Sequence, residues 1–509
     1  MNIPQSARQT PIRLAIAVLL LPMLAVAELS ADCASQQYAP GGACDPLVRE
    51  AEYLADSDRL LSSLVTLGQI PGDTVAEDKL PIDYLRRRGD YALFFGMSES
   101  AERTYQRIAA SGSPPRDLFH ARLKLAEFDY QRGHAQDAEH TLAALHDSVP
   151  PDRMEDWQSL YARVLMAEGR YADAAGQLPG SAGTPPYTRY NRGIALINSG
   201  NIEAGRAALN DVGLLDARDD ELMALRDKAN LVLGYDFLRA GDGRSAVPVF
   251  ERIRLDGPFS AHALLGLGWA QIAPQTTTGT TGASAESGGE QATALKRALV
   301  YWSELASRDA MDPAVQEAML AIPYSLAQLG AQVQAEQYYG RAIDAFEQTG
   351  KRLGEAIDDV HSGRMIDTIA GGVSDTETGW TWDLHELPNT TGTYYLHGLI
   401  AENHFQEALK NYRDLRMLGR KLGSWSAQLQ QLQKNFSAKA ATVDIPALER
   451  HAQTLQPRIE AATTAARTQL ETVAVEELQN QKKLNDNRIA EARLALAQLY
   501  DSAPRGIKP

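Results

Sequence analysis

Cysteine is nearly missing from this chain. Two residues in 509, Cys33 and Cys44, leave no material for a four-cysteine zinc site or a dense disulfide framework. Aromatic residues are also sparse, at 7%. Positive charge falls short: 50 Lys and Arg face 65 Asp and Glu, a net charge of −15. Nucleic acid is bound largely through phosphate neutralisation, so an acidic chain does not suit it. The same balance disfavours non-specific adhesion to anionic lipid. Beyond residue 27 there is no long apolar run, and no stretch there is apolar enough to cross a bilayer. The spacings that carry catalysis are missing as well. There is no His-Glu-x-x-His, no Gly-x-Ser-x-Gly and no phosphate-binding glycine loop. The ten histidines are scattered, and His134, His140 and His146 are six apart, which turns them off one helix face. Gly266-Leu267-Gly268 lacks the preceding strand and third glycine of a dinucleotide fingerprint, so it reads as close helix packing. Asp219-Asp220 and Asp358-Asp359 are adjacent pairs that diverge on a helix. No catalytic residue, cofactor or metal ligand is expected.

The first residues read as an export signal. Arg8 and Arg13 precede an apolar run from Leu14 to Val26, and Ala25-Val26-Ala27 offers the small residues of a cleavage site. The run is too short to span the ~30 Å core of a bilayer. Asp32 before Cys33 spoils a lipoprotein box. Cleavage after Ala27 is therefore expected, and loss of Arg8 and Arg13 with no acid takes the charge from −15 to −17. In an oxidising compartment Cys33 and Cys44 are expected to pair, pinning a loose tail by about 3 kcal/mol in the chain-entropy model. A redox pair would need a tighter Cys-x-x-Cys.

What the chain does have is a recurring steric pattern. Gly, a small residue five later and a bulky residue nine later appear at Gly96/Ala101/Tyr105, Gly133/Ala138/Leu142, Gly169/Ala174/Leu178, Gly200/Gly205/Leu209, Gly241/Ala246/Phe250 and Gly330/Ala335/Tyr339. Seven residues before the Gly stands another small residue: Gly89, Ala126, Ala162, Gly193 and Gly234, with Pro323 as the exception. The first small residue lets two helices cross closely. The Gly ends the first helix (helix A) in a left-handed conformation. The second small residue and the bulky residue then lie on helix B, facing helix A. Successive Gly separations of 37, 36, 31 and 41 bracket the 34-residue tetratricopeptide period. Segments 125–145 (LAEFDYQRGHAQDAEHTLAAL) and 233–253 (LGYDFLRAGDGRSAVPVFERI) resemble tetratricopeptide repeats. Two weaker copies extend the resemblance to roughly 80–420. One pairs ALLGLGWAQIA (263–273), with Gly266 small and Trp269 bulky, with ALKRALVYWSEL (294–305). The other is 393–415, with Asn403 in the Gly place.

The resemblance implies an all-α fold, a right-handed superhelix of TPR-like helical hairpins with a long helical, coiled-coil-like C-terminal extension. The expected organisation is a signal peptide (1–27), a tail and lead-in helix (28–81) and a repeat array (82–347) with a disordered Thr/Gly/Ser insertion (273–292). After these come an irregular segment (348–392) containing Trp380 and Trp382, a last hairpin (393–420) and the extension (421–509). The two tryptophans either plug the array or contact a ligand. The extension is read as an antiparallel hairpin projecting beyond the repeats, with Leu470, Val473, Leu478, Leu484, Ile489 and Leu496 on its stripe and Pro457 kinking or ending a helix. Self-association through that stripe is the rival reading.

In tetratricopeptide proteins ligands lie on helix A, beside the small packing position. By that resemblance the partner-binding residues are Asp90, Phe94, Glu127, Tyr130, Arg163, Met166, Tyr190, Asn198, Tyr235, Arg239, Tyr324 and His397. The other reading is that several of them pack between hairpins. The resemblance implies a non-catalytic, exported, periplasmic scaffold that captures a peptide or helix of an envelope protein. A polysaccharide-binding accessory module is the first alternative. A peptidoglycan-cleaving enzyme with an α-superhelical body is the second, although no stretch has room for its globular catalytic domain.

Overall fold

The computed structural model describes residues 41–57, 59–69, 80–95, 97–110, 115–181, 183–273, 287–371, 399, 403–435 and 445–502. The expected signal segment, Cys33, Gly96, Trp380, Trp382 and His397 lie outside these residues. Among the described residues there are nineteen α-helices and no strand. The described residues divide into two compact units, those up to 125 and those from 126 onwards.

In the first unit α1 (Pro46–Asp56), α2 (Leu60–Leu67), α3 (Ile82–Phe94) and α4 (Ser98–Ala110) pack in sequence. Asp45 caps α1 by accepting from the Leu47 amide at 2.9 Å. Gly89 of α3 makes room for α4: a Cβ there would stand 2.5 Å from the Tyr105 ring. The division between the units falls within α5 (Pro115–Gln131).

The second unit is a series of helical hairpins. After the end of α5 come α6 (Ala135–Leu145), α7 (Met154–Ala167), α8 (Tyr171–Gln177), α9 (Pro186–Asn198), α10 (Ile202–Gly213), α11 (Asp220–Arg239) and α12 (Gly243–Phe250). They are followed by α13 (Ser260–Ile272), α14 (Ser287–Ala306), α15 (Pro313–Gln328) and α16 (Gln332–His361). Each helix packs on the next, and odd helices also touch the next odd helix: α7 with α9, α9 with α11, α11 with α13, α13 with α15. This is the neighbour-only contact pattern of a repeat array. Aspartates start several helices. Asp219 accepts from the Leu222 amide at 2.8 Å, so this member of an adjacent acid pair is a cap for α11.

Two kinds of glycine build the array. The bend glycines Gly133, Gly169, Gly200, Gly241 and Gly330 have φ between 75° and 90°. At each, the glycine amide bonds back three residues and the next amide bonds back five, as Gly133 to Tyr130 at 3.0 Å and His134 to Asp129 at 2.8 Å. That is the Schellman closure of a helix. No atom lies within 4 Å of a Cβ built on any of the five, so only the backbone conformation demands glycine there. The helix glycines are needed for space instead. A Cβ at Gly234 would stand 2.6 Å from Phe250, and one at Gly193 would stand 2.8 Å from Leu209. Burying a ring such as Phe250 stabilises by about 1.5–3 kcal/mol.

The structure corrects the sequence expectation at four places. In α13 the small residue that seats the following helix is Gly268, not Gly266. A Cβ at Gly268 would stand 2.1 Å from the Trp302 indole, whereas Gly266 receives Phe250 from the preceding hairpin. α14 begins at Ser287, so the end of the 273–292 stretch is helical. α16 runs unbroken to His361, because Phe346, Leu353, Ala356 and Val360 keep a buried stripe past Gly350 and Gly354. Asn403 opens a helix, the 33-residue α18 (Asn403–Asn435). Between α16 and α18 the short α17 (Arg364–Gly371) follows a bend at Gly363, φ 76°.

The final helix, α19 (Ile445–Ser502), passes through Pro457 without ending. Its first part pairs with α18, where Gly419 faces Ile459. Its second part does not project: it lies antiparallel along α16. Asn485 donates to the Phe346 carbonyl at 2.9 Å, Arg493 pairs with Glu347 at 2.6 Å, and Tyr500 bonds Glu336. The buried seam is Leu470, Ala474, Leu478, Asn485 and Ala492, spaced 4, 4, 7 and 7. Leu484, counted on the stripe from sequence, is 59% exposed. The seam is occupied within the chain by α16, rather than free for self-association.

Candidate functional site

The odd helices α5 to α15 are the A helices of the array, and most of the expected binding residues lie on them. Between two consecutive A helices, α11 and α13, there is a cleft of about 520 Å³. Tyr235, Leu238 and Arg239 of α11 form one wall, and Trp269, Ile272 and Ala273 of α13 form the other. Behind the wall, Trp269 donates its indole N–H to Glu317 of α15 at 2.8 Å and packs edge-on against the buried Trp302, with ring centroids 4.9 Å apart. Tyr235 donates its hydroxyl to the His262 carbonyl at 2.9 Å and meets the Phe250 ring edge-on. Burial first, and the Glu317 charge second, push the Tyr235 phenol well above its ordinary pKa. Both aromatic residues are thus held by their polar tips, and they offer apolar surface to the cleft. Arg239 is exposed and makes no ion pair among the described residues.

Further along the A helices, Arg163 of α7 lies over the Tyr130 ring at 5.5 Å, and Lys228 of α11 lies over the Tyr190 ring at 5.9 Å. Burial raises the Tyr190 pKa. Tyr324 of α15 is 52% exposed. Asn198 is exposed and donates to the Ile194 carbonyl of its own helix. Glu127 and Met166 are half-buried. In the first unit Asp90 is committed to internal structure: it accepts from Tyr105 at 2.8 Å and stands 3.2 Å from the His120 ring nitrogen. Phe94 meets Phe95 edge-on. The expected set therefore separates. Tyr235 and Arg239 share the cleft, Tyr130/Arg163 and Tyr190/Lys228 form cation-covered rings, and Asp90 is structural.

Sequence reasoning missed Trp269, Lys228 and Glu317 as parts of the site. Trp269 carried a usable signal. It directly follows the true small residue Gly268, the same place that Tyr235 holds after Gly234 and Arg163 after Ala162. Taking Gly266 as the small residue placed Trp269 in the packing. Lys228 and Glu317 lie outside the recurring small–Gly–small–bulky pattern.

Among the described residues no group of His, Cys, Asp and Glu could hold a metal ion, and no helix is long and apolar enough to cross a membrane. There is no free cysteine among them, and Cys33 is not described.

No family model and no curated protein matches the chain. Solved structures do show likeness. The apo form of RapI is 9% identical, with 84% of this chain and 98% of that chain covered, at a TM-score of 0.29. The TPR domain of P58(IPK) is 13% identical, with 74% and 98% covered, at 0.19. The APC/C hetero-tetramer Cut9-Hcn1 is 15% identical, with 82% and 90% covered, at 0.25. Scores this low carry neither function nor partner across to this chain.

Proposed function

We propose that this chain is an exported, non-catalytic scaffold that captures a segment of another protein along the A-helix face of its tetratricopeptide-like array. The observation that carries the reading is the cleft between α11 and α13. It presents Leu238, Ile272 and the apolar surfaces of Tyr235 and Trp269 beside an unpaired Arg239. Such a surface binds side chains by burial and orients them by one charge. The export half of the proposal is supported by Arg8, Arg13 and the apolar run from Leu14 to Val26, with cleavage after Ala27. A Cys33–Cys44 disulfide in an oxidising periplasm belongs to the same proposal.

Site-specific photocrosslinking in cells tests it. A photoreactive residue at Ile272, in the cleft, should capture one discrete protein. The same residue at Val300 of α14, which is 68% exposed, should not. Equal capture at both sites, or none at Ile272, refutes the proposal. Proteolytic sizing of the mature N-terminus and a thiol titration check the export and disulfide components.

A further inference from the structure

Three cations on the A helices have no carboxylate partner among the described residues. Arg163, Lys228 and Arg239 lie on α7 and α11, and none makes an ion pair among the described residues. The Nε of Arg163 is buried without an acceptor. The carboxylates nearby are already engaged: Asp236 with Arg206 at 2.7 Å, and Glu317 with the Trp269 indole at 2.8 Å. Ring contacts place two of these cations, Arg163 on Tyr130 and Lys228 on Tyr190, but leave their hydrogen-bonding capacity for a carboxylate unused. The Tyr130 ring meets the face of the Arg163 guanidinium, but its buried Nε–H has lost hydration without gaining an acceptor. A carboxylate from outside would restore it with short, charge-assisted hydrogen bonds.

Resting on the peptide-capture reading above, we propose that the occupant is an acidic, extended peptide segment. Its carboxylates meet Arg163, Lys228 and Arg239, and a large apolar side chain seats between Leu238, Trp269 and Ile272. The aromatic geometry favours peptide over sugar. A sugar ring needs an open aromatic face and free polar groups for its hydroxyls. Here Arg163 and Lys228 lie over Tyr130 and Tyr190. The polar tips of Tyr235 and Trp269 are spent on His262 and Glu317. An apolar side chain asks only for area, and a carboxylate only for a cation. Because the whole chain is acidic, long-range attraction does not assist this partner. Recognition is local and weakens as salt screens it.

The test uses the full chain and three probes: a fluorescent alternating Glu-Leu peptide, its Lys-Leu counterpart, and polygalacturonate as an acidic glycan competitor. The Glu-Leu peptide should bind in a salt-sensitive way, and the Lys-Leu peptide roughly tenfold more weakly. A variant carrying both Lys228→Glu and Arg239→Glu, two exposed positions, should invert that order. Arg163→Gln should weaken Glu-Leu binding alone. Circular dichroism confirms that each variant is folded before binding is read. Equal binding of the two peptides, or no response to the charge reversals, overturns the proposal. So does polygalacturonate displacing the peptide at concentrations below those at which the peptide competes with itself. If crosslinks map to Ile272 in cells while the reversals change nothing, the acidic assignment fails and peptide capture stands. If crosslinks avoid the face altogether, the capture reading itself has failed.

Discussion

Replacing Gly268 by Ala adds one methyl group, and the structure sets its cost. The new Cβ would stand 2.1 Å from Nε1 of Trp302 and 2.3 Å from its neighbouring ring carbon. Trp302 cannot step aside. It is fully buried, its N–H points at the Leu265 carbonyl at 3.3 Å, and Trp269 meets it edge-on. Overpacking of this kind costs about 1–3 kcal/mol, and full overlap with a rigid ring belongs at the upper end. Loss of the indole hydrogen bond adds about 1 kcal/mol. Against this, Ala is a better helix former than Gly by about 1 kcal/mol. The net expectation is a loss of about 3 kcal/mol. Gly340, inside α16 with no atom within 4 Å of a built Cβ, is the control. There only the propensity gain remains, so Gly340→Ala should stabilise by about 0.5–1 kcal/mol. A repeat array does not unfold in two states, so one global midpoint would blur both effects. Hydrogen exchange resolved by segment is the suitable assay. Gly268→Ala should speed exchange in α13 and α14, and Gly340→Ala should slow it in α16. Unchanged protection in α13 and α14 for Gly268→Ala would refute the claim that glycine is there for space.

Gly241→Ala should cost about 1 kcal/mol, because φ 75° is strained for a residue with a Cβ, whereas Gly241→Asn should cost less; hydrogen exchange in α11 and α12 measures the difference. Asn485→Leu removes a buried amide whose Oδ1 has no partner and keeps its branched shape in a larger side chain, so α19 should resist protease about as well as in wild type, while Asn485→Ala should weaken it by about 1–2 kcal/mol. Burial and a 2.6 Å hydrogen bond to Glu221 push Tyr187 up to about 12 from an ordinary 10.0. The neutral phenol is the form the fold favours, so its contribution is complete below pH 10 and is lost as pH rises towards 12. The tyrosinate absorbance of wild type minus that of Tyr187→Phe should therefore titrate near 12, and a difference titrating near 10 would refute the reasoning.

The hairpins were legible because their signal is steric. Glycine at a left-handed bend and a small residue opposite a large one leave little freedom in which residue can serve. The five described bend glycines fall where the pattern put them. Legibility failed where the constraint was looser. Two glycines at 266 and 268 fit the small place equally well from sequence, and only the seating of Phe250 and Trp302 tells them apart. The α19 seam was misread because two of its five members are Ala and one is Asn, while apolar Leu484 points to solvent. Small residues suit a close helix pairing, and a count of large apolar residues passes over them. The binding face was half legible. Tyr235 and Arg239 follow from position alone, but the committed state of Asp90 depends on Tyr105 and His120, and His120 lies thirty residues away.

Packing and recognition in the second unit are one connected arrangement. Gly268 admits Trp302, and Trp302 fixes the edge of Trp269. Trp269 in turn holds Glu317 through its indole N–H. Arg488 of α19 bonds Gln316, next to Glu317, and burial lowers its pKa while the Glu317 charge works the other way. The wall of the cleft is therefore tied both to the core of the α13–α14 hairpin and to the helix that lies along α16. A rigid wall lowers the ordering cost of capturing a flexible segment. Arg488→Ala touches no cleft residue directly, yet it removes the cation that balances Glu317. If the connection is physical, this change should weaken Glu-Leu peptide binding roughly twofold to fivefold and should loosen exchange at the Trp269 indole. A variant that binds the peptide as wild type does, with its indole exchange unchanged, would show that the cleft stands on the repeat core alone.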